Sequence, residues 1–149
     1  MSNKETVKYK SVLGGQYIEL SKAVGLSSHG VGIGAFVYLR RIIENLVLDK
    51  YKQFSDELGM QTKDFESKKF IEKIDILKNY LPKILVDNKN IYAIISKGIH
   101  ELSENECIEM FPFIRTGIEV ILDDLIAEKE KAELFETFVS QKTGEIRSS

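Results

Sequence analysis

His29, His100 and Cys107 are the side chains best able to attack, chelate or move a proton near neutral pH, and their spacing organises none of these reactions alone. Neither histidine has a second one at i+3 or i+4, the spacing with which a helix chelates a metal. A lone cysteine has no disulfide partner within the chain and is too little for a thiolate zinc site, so Cys107 reads as a small apolar core residue. No metal and no cofactor is therefore expected. His100 differs from His29 in sharing a helical face with Lys97 and Glu101. That face suits either a general acid or base tuned by its neighbours or a hydrogen-bonded structural histidine.

A second polar group lies in the segment 33–51, where Ile33, Phe36, Leu39, Ile42, Ile43 and Leu46 leave little of a helix polar. Such a helix belongs at the centre of a fold. Arg40, Arg41 and Glu44 interrupt it, with Arg40 and Glu44 at i,i+4 and Arg41 and Glu44 at i,i+3. Charges set into an apolar helix need partners. The stripe is either an intramolecular ion pair that fixes register or the wall of an anion- or ligand-binding site formed by Arg40, Arg41, Glu44, Lys97 and His100. If the two polar stripes face each other, His100 lies within a side chain's reach of Glu44 or an arginine. As structural support for Arg40 or Arg41, Glu44 should cost roughly 2–4 kcal/mol to remove if that leaves a buried guanidinium unpaired, and below about 1 kcal/mol if the stripe is exposed.

Gly30, Gly32 and Gly34 alternate just ahead of that helix. Glycines there can cradle a phosphate, but no strand precedes them and no Lys-Ser/Thr follows, so close helix packing is the expected reason.

The elements that must hold these residues read as helices throughout. Residues 1–14 form a polar, Lys-rich arm expected to be mobile, and a short helix follows from Tyr17 with Gly25 placed to end it. The run 53–69 reads as a connector with one loose turn; an amphipathic helix from Phe70 stops near Pro82, and another starts at Asn88 as N-cap. β-branched residues dominate 91–99, so a strand competes there, but Ile91, Ile95, Gly98 and Leu102 make one helical face. Ser103 and Glu106 form a capping box that opens a long last helix, which should bend near Pro112 and becomes highly charged over 123–136. The expectation is an all-α, up-and-down bundle of four to five helices with a long C-terminal helix, its single domain spanning 15–142 and a flexible tail 143–149.

The chain has 149 residues, enough to bury a core unaided, and only two prolines interrupt it. No run reaches the roughly 18 apolar residues of a membrane span, and the polar start is unlike a secretory signal, so a soluble, cytoplasmic protein is expected. The net charge of −2 argues against a surface that coats nucleic acid, although residues 1–54 carry eight basic and four acidic groups.

The segments GAFVYLRRIIE at 34–44 and SKGIHELSE at 96–104 resemble bacterial HEPN-like (higher eukaryote and prokaryote nucleotide-binding) domains of unknown function. The resemblance spans roughly residues 16–138. It implies a helical bundle, frequently dimeric, in a superfamily that holds defence and toxin ribonucleases beside non-catalytic nucleotide- or partner-binding modules. The ribonucleases carry an arginine shortly ahead of their histidine; here Ala93, Ile94 and Ile95 stand before His100, and Lys22, Ala23 and Val24 before His29. A ribonuclease site with His100 and Glu101 as catalytic candidates would need Arg40 or Arg41 supplied from another helix. The residues thus assign no enzyme class. The leading expectation is a non-catalytic interaction or oligomerisation module, homodimeric, with a regulatory role in a bacterial defence or stress system and a protein partner. A metal-independent ribonuclease or nucleotide-binding protein, with RNA or nucleotide as ligand, is the alternative.

Overall fold

The computed structural model describes residues 7–148, which form helices and short connections with no strand among them. A 3-10 turn at Val7–Tyr9 leads into α1 (Lys10–Leu13), and a second at Gly14–Gln16 leads into α2 (Tyr17–Ser28). Tyr9 and Leu13 are buried in the core, so residues 7–14 of the expected mobile arm are packed instead; residues 1–6 lie outside the described residues. Their apolar side chains, set beside Lys8 and Lys10, are enough to dock the segment.

α2 runs past Gly25 and ends after Ser28, where Gly30 takes φ of 83°. The left-handed turn falls five residues later than the sequence suggests, because Gly25 costs a helix interior only about 1 kcal/mol whereas the turn needs positive φ. α3 (Gly32–Leu58) then returns antiparallel, as the pairings of Glu19 with Arg41 and Lys22 with Tyr38 show. It extends through what reads as the start of a connector and ends at the left-handed Gly59. Its buried positions, Ala35, Phe36, Leu39, Ile42, Ile43 and Leu46, follow i, i+3, i+4 spacing, and it is the helix against which α2 and the two later long helices pack.

Three short helices follow: α4 (Thr62–Glu66), α5 (Phe70–Ile76) and α6 (Lys83–Asp87). Aromatic stacks hold this stretch together, with Phe65 on Tyr51 and Tyr80 on Phe54, both at 4.1 Å between centroids. α5 is shorter than expected, stopping before the turn at 77–80 rather than at Pro82. Asn88 does not open the next helix. It closes α6, its Nδ2 donating to the Ile84 carbonyl at 2.9 Å.

α7 (Asn90–Glu101) is helical, not a strand, and lies antiparallel to α3: Tyr92 meets Glu44 while Gly98 meets Phe36. After Leu102 the capping box forms as expected, with Ser103 N–H donating to Glu106 Oε1 at 3.0 Å and Glu106 N–H to Ser103 Oγ at 3.2 Å. It opens α8 (Glu104–Ser148), one helix of 45 residues with Pro112 inside it. The expected tail from 143 is thus part of the helix up to Ser148. Together α2, α3, α7 and α8 make the up-and-down all-α bundle. Among the described residues no helix is long and apolar enough to cross a membrane.

Candidate functional site

The glycine-rich approach to α3 is a packing device. A Cβ on Gly32 would fall 2.6 Å from the Glu104 carbonyl oxygen and 2.8 Å from Cys107 Cβ, so only glycine lets α3 and α8 approach this closely. The anion position at the α3 N-terminus is filled from within the chain: Glu104 Oε2 accepts from the N–H groups of Gly32 at 2.6 Å and Ile33 at 3.1 Å. A carboxylate there satisfies the first orphan donors and the helix dipole, as a bound phosphate would. Beside it Gly98 meets the Phe36 ring, and buried Cys107 donates its thiol to the Gly98 carbonyl at 3.3 Å. Burial, then the carboxylates of Glu104 and Glu106, pushes the Cys107 thiol above its ordinary pKa.

The polar residues of α3 divide between two neighbours. Consecutive helical residues point about 100° apart, so Arg40 and Arg41 cannot share one stripe. Arg41 turns to α2, where its guanidinium lies 3.7 Å from Glu19 and over the Tyr38 ring. Arg40 Nε lies 3.9 Å from Glu44, an ion-pair separation beyond hydrogen-bond length. Glu44 accepts a hydrogen bond from the Tyr92 hydroxyl at 2.9 Å. Desolvation, followed by this carboxylate, raises the Tyr92 phenol above its ordinary value. The side chains of Glu44 and Arg41 are 41% and 53% exposed, so the stripe is half-solvated rather than buried.

The shared pocket expected from the sequence does not assemble through direct contacts. α7 turns Tyr92, Ile95 and Gly98 toward α3, and Lys97, His100 and Glu101 lie on the opposite, exposed side. Among the described residues no hydrogen bond or ion pair joins these three to Arg40, Arg41 or Glu44. Lys97 instead lies near the capping box, where backbone and side-chain hydrogen bonds from Ser103, with a smaller contribution from Lys97, hold the Glu106 carboxyl below its ordinary value. No group of three or more His, Cys, Asp or Glu among the described residues is placed to hold a metal.

A surface that the charged-residue reading passed over lies on α8. Between α6, α7 and α8 runs an open groove of about 450 Å³ lined by Ile84, Ile91, Ile94, Gly117, Val120 and Ile121. Beyond Ile126 every described side chain of α8 up to Arg147 is exposed, including Leu134 at 73%, Phe135 at 66% and Phe138. At 1.5 Å per residue this extension projects about 30 Å. Its apolar residues are legible in the sequence as 134, 135, 138 and 139, but the charged run over 123–136 reads equally as a solvated or an interacting end. No protein-family model matches the chain, and no curated protein or solved structure matches it.

Proposed function

We propose that this chain is a non-catalytic helical oligomerisation and interaction module, in keeping with its sequence resemblance to HEPN-like domains. The observation that carries the reading is the α8 extension, whose Leu134, Phe135, Phe138, Val139 and Ile146 are exposed. Exposed apolar residues are ordinary when scattered, but here they recur along one projecting helix. A fully buried side chain of this size contributes about 1.5–3 kcal/mol, so five that are about half to three-quarters exposed offer roughly 5–9 kcal/mol on being covered. Association costs on the order of 4–15 kcal/mol. One stripe is therefore marginal alone, and two stripes, or a stripe and a complementary groove, suffice.

A regulatory role in a bacterial defence or stress system would follow from what the module joins together. The polar residues support the non-catalytic reading: Arg40 and Arg41 are engaged with carboxylates, and His100 faces solvent. Light scattering on the full chain and on a chain ending at Lys129 tests it. The full chain should form a defined dimer at tens of micromolar, and the shortened chain should be a folded monomer whose melting temperature, unlike that of the full chain, does not depend on protein concentration. A full chain that stays monomeric overturns the reading, as does a shortened chain that still dimerises.

A further inference from the structure

The exposed flank of α8 has an order that selects a particular occupant. At 3.6 residues per turn, Phe113, Gly117 and Val120 lie on the same line as Phe135 and Phe138, roughly a third of a turn from the buried face. Between these apolar blocks the same line carries Asp124 and Lys131. Neither has a hydrogen bond or ion pair among the described residues. The flank is therefore apolar, acidic, basic, apolar along its length, a sequence that complements itself only when reversed.

We propose that α8 pairs antiparallel with α8 of a second copy about a two-fold axis beside Ala127 and Glu128. This register sets Asp124 opposite the partner's Lys131, Val120 opposite the partner's Phe135 and Gly117 opposite the partner's Phe138. Gly117 forms the floor of the groove between α7 and α8, where a Cβ would lie 3.0 Å from Ile91 Cδ1. Ile91 packs directly on this glycine, so the groove floor there is an apolar seat on which the phenyl ring can lie. Each extension thus fills the other copy's groove, and two-fold symmetry makes every contact twice. Parallel pairing would set Asp124 against Asp124 and leave both grooves open. This pairing rests on the reading of the chain as an oligomerisation module, and it names the partner and the face.

Sedimentation equilibrium of the full chain and its charge-reversal variants tests the register, with circular dichroism confirming that each variant is helical. Wild type should sediment at twice 17.0 kDa. Asp124→Lys and Lys131→Asp should each weaken the dimer about tenfold, because each reversal acts at two symmetric contacts. The double variant should recover to within about threefold of wild type. Phe138→Asp should weaken it by about a hundredfold or more. A monomeric wild type would overturn this pairing and the oligomerisation reading together. A dimer indifferent to both reversals and to Phe138→Asp would overturn the pairing alone, and single reversals left unrescued by the double variant would overturn the register.

Discussion

Gly25 and Gly32 are both helical and close in sequence, yet replacing each with alanine should move stability in opposite directions. At Gly32 the added methyl would sit 2.6, 2.8 and 2.9 Å from Glu104 O, Cys107 Cβ and Ile108 N. Two of these are backbone atoms of α8, so relief requires the helices to part by about 1 Å, enough to forfeit a quarter to a half of each packing contact. Overpacking of this kind costs about 1–3 kcal/mol. The same movement stretches the Glu104 hydrogen bonds to Gly32 and Ile33, a further loss of about 1 kcal/mol for groups near solvent. Alanine returns about 0.4–1 kcal/mol by restricting the unfolded chain. The net loss is about 1–3 kcal/mol, or roughly 3–10 °C in Tm for a domain of this size. At Gly25 nothing lies within 4 Å of an added Cβ, so only the propensity gain of about 0.5–1 kcal/mol remains and Tm should rise by roughly 1–3 °C. Thermal melts followed at 222 nm measure both. A Gly32→Ala protein that melts at or above the wild-type temperature would refute the close-approach argument.

The Tyr92 to Glu44 hydrogen bond joins α7 to α3, so Glu44→Ala and Tyr92→Phe should each cost about 1–1.5 kcal/mol; a urea double-mutant cycle should give a coupling near 1 kcal/mol. Burial raises the Tyr92 phenol above 10, so the folded state holds that proton more tightly than the unfolded state does. Its contribution is intact below about pH 10 and is lost as pH climbs through the raised value; Tyr92→Phe should flatten that part of a stability–pH profile. The Glu106 carboxyl is lowered from 4.5, so its contribution is present above that value and fades as pH falls through the lowered one; Ser103→Ala keeps the backbone donor and should only weaken this acid-side dependence while costing about 1 kcal/mol of cap stability in equilibrium unfolding, whereas Glu106→Gln should remove the dependence. Cys107 is buried with a raised thiol pKa, and a thiol-titrating disulfide reagent at pH 8 should react with it only as fast as the bundle opens, then rapidly in denaturant.

Most of the helices could be read from the sequence because their causes are local. The Ser103 and Glu106 cap depends on residues three apart whose geometry any helix start repeats. The choice of helix over strand at 90–101 follows from Ile91, Ile95, Gly98 and Leu102 sharing one face. The central place of α3 likewise follows from its apolar spacing. Boundaries were less legible where two local preferences compete, as at Gly25 against Gly30 and at Asn88, which serves a helix end as well as a start.

The partners of the polar residues belonged to tertiary structure alone. Arg41 had Glu44 in reach along its own helix, but the packing of α2 presented Glu19; the antiparallel docking of α7 presented Tyr92 to Glu44 and turned His100 outward. Sequence spacing determines which residues share a face. Which face meets which neighbour depends on how glycines such as Gly32 and Gly98 let whole helices approach, a cooperative outcome of packing that residue spacing does not encode.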